Sequence, residues 1–439
     1  MLLATALFDV LLLADWNTRV VVIGTSMLGV AAGVVGSFLV LRKRALLGDT
    51  VSHAMLPGVV GAFLIMQAFG GGGKNFGGLL LGAALAGVLA AWAVPVLRRA
   101  TGLKDDAIMG VVLGGGFGLG IAMLGVAQAV PGGNQAGLES FIYGRTASMV
   151  QSDAIGIGAT AAVTLVIAIL LAKEFRLLCF DEAFGRALGR REGWLDLGLM
   201  LLAVTVTVVG LQAVGLILVI ALLITPAAAA RFWTDEFLRM IAIAGALGAV
   251  ACWIGASISA LAPDLPAGSI IVLTLSFLFG ISMLIGTRRG AIKRLLQRRD
   301  LRRRTGQQHL LRAAAESIEA RDADGWALKD LMPLRSWSGG QLRSLHRRAV
   351  RRGDVVRSEG CYAFTPTGRA AANRVVRNHR LWELFLIRYA DIAPSHVDRD
   401  ADLVEHVLGE SLVSELEAML GDGCGGLRSP HAVGTHHDA

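Results

Sequence analysis

Apolar stretches of about 20 residues, long enough to cross a bilayer, recur through the first two thirds of this sequence. A backbone in lipid finds no water to bond, so each stretch is expected to close its hydrogen bonds internally as a helix. Nine such spans are read, at about 20–41, 46–69, 78–97, 106–128, 154–172, 195–212, 213–231, 238–262 and 267–286. Of the 439 residues, 54% are hydrophobic and 55 are glycine. That is not a soluble protein's composition, and the glycines suit helices packed closely in lipid. Asp9 and Asp15 interrupt the apolar beginning and no basic segment precedes it, so it does not read as a cleaved signal peptide. Cys179, Cys252, Cys361 and Cys424 are far apart and form no CxxC pair, which argues against a disulfide framework or a zinc ribbon.

The formal net charge of +8 is a matter of topology, because lysine and arginine gather in short loops. Arg42-Lys43-Arg44, Arg98-Arg99 with Lys104, Lys173 through Arg191, Arg231 with Arg239, and Arg288-Arg289 all fall on one side if nine spans are counted. The alternate loops, 70–77, 129–153 and 263–266, carry little positive charge. The positive-inside rule then puts the N-terminus outside and the C-terminus in the cytoplasm. The turn from Gly210 to Gly215 is very tight, yet eight spans would break the charge pattern. Residues 138–150 are too polar and short to span, and read equally as a re-entrant helix or an ordinary outer loop.

One stretch concentrates polar chemistry at the mouth of a span: Gly48-Asp-Thr-Val-Ser-His-Ala-Met-Leu-Pro-Gly58. Asp49, Ser52 and His53 are spaced i, i+3, i+4, so a helix puts them on one face. Pro57 has no N–H to give the carbonyl of His53 and is expected to bend the helix there. A carboxylate, an imidazole, a hydroxyl and a released carbonyl suit a divalent ion of the manganese, iron or zinc kind. The structural alternative is that Asp49 caps the helix or pairs with Arg44, with His53 hydrogen-bonded between packed helices. Ionisable groups entering a span by default mark a pathway.

Further along, Phe180-Asp-Glu-Ala-Phe-Gly-Arg-Ala-Leu-Gly189 lies in a basic loop, with Phe180, Phe184, Ala187 and Leu188 at helical spacing. Such a short amphipathic helix serves either as a docking element for a partner or as a helix lying in headgroups. In span 213–231, Pro226 frees the carbonyl of Leu222 and is expected to kink the helix at Thr225. Gln212 and Thr225 are candidate pathway groups or interhelical hydrogen-bond partners. Asp264 either attracts cations at the outer mouth or caps the last span.

Residues Gly48, Asp49, Ser52, His53, Ala54, Leu56, Pro57 and Gly58 closely resemble the GD-x-x-SHA-x-LPG signature of the permease subunits of ABC importers for manganese, zinc and iron. The segment 180–189, the 213–231 helix and Asp264-Leu-Pro-Ala-Gly268 resemble further motifs of that family, so the resemblance covers roughly residues 15–288. It implies an all-α bundle working as a dimer with a second permease copy or paralogue. It also implies an outer metal-binding protein that delivers the ion, and a site in the cytoplasmic (inner) membrane. Asp181, Glu182, Phe184, Leu188 and Gly189 then occupy the position that couples to the ATPase. The chain lacks the Walker pattern G-x-x-x-x-G-K-[ST], with Asn75 after Gly73-Lys74 where Ser or Thr is needed, so the ATPase is expected to be a separate polypeptide and this chain no enzyme. No tightly bound cofactor is expected.

The composition shifts at Arg288. The reading is a permease domain over 1–290, a basic juxtamembrane linker over 291–306, a winged helix-turn-helix over 307–368, a helical domain over 369–422 and a disordered tail over 423–439. Helices are expected at Gln308–Ala320, Leu328–Met332 and Gly339–Arg352, the last with Leu342, Leu345 and Ala349 as its buried face. A hairpin follows around Ser358-Glu-Gly360. Phe364-Thr-Pro-Thr-Gly-Arg369, Asn378–Leu386 and Glu405-His406 resemble the diphtheria-toxin-repressor class of metal-dependent regulators. By position the resemblance assigns His379, Glu383, Asp402, Glu405 and His406 to metal. If the winged helix-turn-helix binds DNA, Arg343, Arg347 and Arg348 are its candidate phosphate contacts. The first helix of the tail departs from that class, offering Gln308 and His309 where acidic or thioether ligands belong, and the C-terminal SH3-like domain is absent. The expectation is a metal permease with a metal-sensing tail, and the alternative a membrane-tethered metal-dependent DNA-binding regulator.

Overall fold

Helix α1, Trp16–Leu41, is the centre of the first unit. Asp15 starts it by accepting from the Thr18 amide, and its buried face is rich in glycine and alanine. It packs against α6 (Gln151–Leu170), α9 (Glu192–Val214), α10 (Leu216–Ala230) and α11 (Phe237–Ser259). Side chains would not fit at two of these crossings. A Cβ on Gly248 of α11 would stand 2.2 Å from the Gly29 carbonyl oxygen, and one on Gly36 would stand 1.8 Å from that of Leu223. Small residues at these points let backbones meet where lipid supplies no hydrophobic drive between helices.

This computed structural model describes residues 15–69, 75–129, 149–189, 192–261, 265–335, 337–358, 360–389 and 415–416. The remaining elements of the first unit are α2 (Leu47–Ala54), α3 (Leu56–Ala68), α4 (Phe76–Thr101), α5 (Asp105–Ala129), α7 (Ala172–Phe180), α8 (Glu182–Ala187) and α12 (Ala267–Ile285). Among the described residues, eight helices can cross a membrane by length and composition, with α2 and α3 counted as one. The ninth apolar helix, α10, has 15 residues. It is separated from α9 by Gly215 alone, whose φ of +82° favours glycine, so the tight turn expected there is present. The segment 138–150 lies outside the described residues, apart from Met149 and Val150.

The chain divides into two compact units, Met1–Arg294 and Leu295–Ala439. The basic run expected as a linker over 291–306 is helical. α13 runs unbroken over Ala291–Arg321, because arginine, leucine, glutamine and alanine all favour helix. In the second unit α14 (Leu328–Leu331) and α15 (Gly339–Arg352) follow, then β1 (Val355–Ser358) and β2 (Cys361–Phe364), then α16 (Pro366–Tyr389). Ser338 and Gln341 form a capping box that opens α15, and Gly353 at φ +78° closes it. The strands pair antiparallel with Val355 opposite Phe364, and Trp326 bridges to Tyr362 at their edge. This is a winged helix-turn-helix whose core gathers Leu310, Ala314, Trp326, Leu331, Leu342, Ala349 and Val355.

Candidate functional site

The motif at 48–58 folds as two short helices rather than one. α2 ends at Ala54, Met55 is the joint, and Pro57 lies in the first turn of α3, where its missing N–H costs nothing. Asp49 and His53 share the partly exposed face of α2, with Oδ1 and Nε2 3.2 Å apart and side chains 29% and 25% exposed. The His53 ring meets Phe117 of α5 edge-on at 5.1 Å. Its Nδ1 is buried and has no hydrogen-bond partner among the described residues. A buried nitrogen without a partner carries a desolvation cost that an incoming ligand can relieve.

Ser52 does not join this pair. It is buried, and its hydroxyl donates 2.6 Å to the Gly48 carbonyl, so its proton is spent within the helix. The alternative pairing of Asp49 with Arg44 is also absent. Arg44 is buried and forks onto both oxygens of Asp196 at 2.6 Å, while its Nε donates 2.7 Å to Asp105. Arg42 reaches the same Asp196 at 3.1 Å and donates to the Leu178 carbonyl at 2.8 Å. This clasp joins the chain entering α2 to the starts of α5 and α9. Nothing but charge signals it in the sequence, because the partners are 61 to 154 positions apart. A cavity of about 860 Å³ adjoins it, where Arg42, Arg44, Arg98, Arg99 and Arg186 outnumber Glu192 and Asp196. Such a surplus of positive charge repels a metal cation, so the Asp49–His53 face is the better candidate.

Of the other expected pathway groups, Thr225 is half-buried on α10 immediately before Pro226. Gln212 is in the last turn of α9, and its side chain lies outside the described residues, as does Asp264. Among the described residues no group of three or more His, Cys, Asp or Glu could hold a metal.

The loop at 180–189 differs from the single amphipathic helix expected. α7 ends at Phe180, and Asp181 opens α8 by accepting 2.9 Å from the Phe184 amide. Phe180 thus sits on a separate helix, its ring 6.1 Å from that of Phe237. Phe184 and Leu188 are 54% and 58% exposed. Gly189 ends the segment at φ +74°. Glu182 is in α8, with its side chain outside the described residues.

In the second unit Arg343 and Arg347 are exposed on α15 and Arg348 is half-buried. His379, assigned to metal by resemblance, is buried with Nδ1 2.9 Å from Nη1 of Arg312. Glu383 is in α16 with its side chain outside the described residues, and Asp402, Glu405 and His406 are outside them altogether.

Comparison with known proteins matches residues 15–286 to the model of the ABC 3 transport family. Residues 365–423 match the iron dependent repressor, metal binding and dimerisation domain. The manganese transport system membrane protein MntC of Bacillus subtilis (strain 168) is 36% identical over 384 residues, 88% of this chain and 87% of its own. A match of that length necessarily runs into the second unit. The zinc transport system membrane protein TroC of Treponema pallidum (strain Nichols) is 40% identical over 288 residues, 66% of this chain and 95% of its own. The chelated iron transport system membrane protein YfeC of Yersinia pestis is 31% identical over 255 residues, 58% of this chain and 82% of its own. Among solved structures, PsaBC from Streptococcus pneumoniae in complex with Fab superposes with a TM-score of 0.56 at 29% identity, covering 66% of this chain and 99% of that one.

Proposed function

Because the chain belongs to the ABC 3 transport family, we propose that it is the membrane-spanning permease subunit of an importer for divalent manganese, zinc or iron. The observation that carries this reading is the Asp49–His53 pair at the joint between α2 and α3. A carboxylate and an imidazole serve all three ions, so the pair defines the class of cargo and not the member. Relatives named for manganese, zinc and iron transport support the same class.

One chain offers two donors here, whereas these ions take four or more ligands. The partial exposure of both side chains supports a pathway shared with a second permease copy or paralogue, each contributing its own pair. Thr225, beside the Pro226 break, and Asp264 are proposed to lie along the same path. Ion delivery falls to an extracytoplasmic metal-binding protein, and ATP hydrolysis to a separate ATPase subunit that docks on Phe184 and Leu188. The protein is proposed to reside in the inner membrane with its second unit in the cytoplasm. There the repressor-like domain regulates transport, and Asp402, Glu405 and His406 are its candidate metal groups.

The test is uptake by cells expressing the whole system, competed ion by ion. Asp49→Asn and His53→Ala are expected to lower uptake by at least about 100-fold, since even outer-shell changes at metal sites cost about 10- to 100-fold. Expression and association with the partner subunits should be unchanged. Parental uptake by either variant would remove the pair from the path.

The winged fold with Arg343 and Arg347 exposed on α15 favours one second reading, a tail that contacts DNA phosphates. Salt-sensitive, sequence-specific DNA binding by the whole chain in detergent, lost in Arg343→Ala/Arg347→Ala, would support it.

A further inference from the structure

The match of the tail to a metal-binding domain makes its buried polar groups a test of whether a metal fits beside His379. His379 on α16 is 3% exposed and Arg312 on α13 is 4% exposed. Nη1 of Arg312 lies 2.9 Å from Nδ1 of His379, and its Nε donates 2.6 Å to Glu316. A guanidinium has only N–H donors and stays charged at any pH the protein meets. Nδ1 must therefore accept, which places the single proton of the neutral ring on Nε2. Neither nitrogen then offers a lone pair to a metal. A metal at this ring would also sit next to a buried positive charge.

We propose that Arg312 is itself the cation of this junction, tying α13 to α16 without a metal. Its guanidinium occupies the ring that the family resemblance assigns to a metal ligand, and Glu316 balances its charge. A second arginine pair bridges the same two helices, with Nη2 of Arg380 2.8 Å from Oε2 of Glu319. The junction is thus closed by one hydrogen bond and one ion pair internal to the chain. His379 is removed from the tail's ligand set, and any metal response of the tail has to arise from its other candidate ligands. This role of Arg312 holds whichever ion the permease carries.

The test is hydrogen exchange of the full-length chain in detergent, followed on peptides covering 305–321 and 366–389. It is run after exhaustive chelation and again with saturating Mn²⁺ or Zn²⁺. Protection of both helices is expected to agree within about twofold across these conditions. Arg312→Met should lower it by about tenfold or more, the scale of a lost hydrogen bond to a charged group. His379→Gln retains an acceptor for Arg312 but is a poor ligand for these ions, and should keep protection within about threefold of the parent. If chelation of the parent chain lowers protection of these helices by about tenfold and Mn²⁺ or Zn²⁺ restores it, the junction is a metal site and the proposal fails. That comparison uses the parent protein alone, so it decides the matter even if the arginine variant does not fold.

Discussion

His346 illustrates how much a single residue decides in the winged unit. It is buried against Tyr362, ring centroids 4.3 Å apart, and accepts a 2.8 Å hydrogen bond at Nε2 from Trp326 Nε1. Nδ1 therefore carries the proton and donates 2.9 Å to the Leu342 carbonyl. Spacing placed Leu342, Leu345 and Ala349 on the buried face of α15, and His346 shares that stripe. Spacing alone does not place it in the core, because histidine reads as polar when its partners, at positions 326 and 362, are remote in sequence. Burial pushes its pKa below the ordinary 6.5, against a smaller upward pull from the bond to Leu342. A lowered folded pKa means the unfolded chain binds the proton more readily. The stabilising contribution is thus complete above pH 6.5 and is lost as pH falls through the lowered value. Hydrogen exchange in α15 should accelerate between about pH 7 and pH 5, after correction for the intrinsic rate. His346→Gln, which keeps one donor and one acceptor, should flatten that dependence. A parent profile as flat as the variant's would show that protonation of His346 does not destabilise the unit.

At the scale of elements, proline and glycine positions were the most legible, because they act through the local backbone. Pro57 set the joint between α2 and α3, and Gly215 the turn between α9 and α10. The division of the 180–189 loop into α7 and α8 was not legible. Asp181 reads as a polar residue on a helix surface until its side chain is seen capping the Phe184 amide. That cap turns Phe184 and Leu188 outward, where they remain more than half exposed. Burying one such side chain in a partner contributes about 1.5–3 kcal/mol. Phe184→Asp or Leu188→Asp should therefore weaken ATPase association by at least about tenfold. Stimulated ATP hydrolysis and uptake should become uncoupled. Co-purification with the ATPase and uptake at the parental rate would place the docking surface elsewhere.

For the whole molecule, charge is the feature with the longest reach. Basic clusters recur at alternate ends of the apolar helices, and Arg42, Arg44 and Arg98 are held in the Asp105 and Asp196 clasp. Counting α10 as a crossing helix gives the described residues an odd number of spans, which supports the proposed topology with the N-terminus outside and the second unit in the cytoplasm. A fluorescent protein fused after Ala439 should then light up, and alkaline phosphatase fused at the same point should be inactive. The opposite pair of results would mean that α10 does not cross. The second unit needs no membrane for its core, which closes around Trp326, Leu342 and Val355.

The sequence alone determined the helical membrane bundle, the family resemblance, the winged tail and the Asp49–His53 pair, because each is written in local periodicity or in one contiguous motif. Tertiary structure alone decided what long-range partners do to those residues. It withdrew Ser52 into its own helix and gave Arg44 to Asp105 and Asp196 instead of Asp49. It also joined Arg312 to His379 across 67 positions. Spacing can place a side chain on a face, but a hydrogen bond requires its partner to arrive at the same point in space. The path of the chain between them settles that.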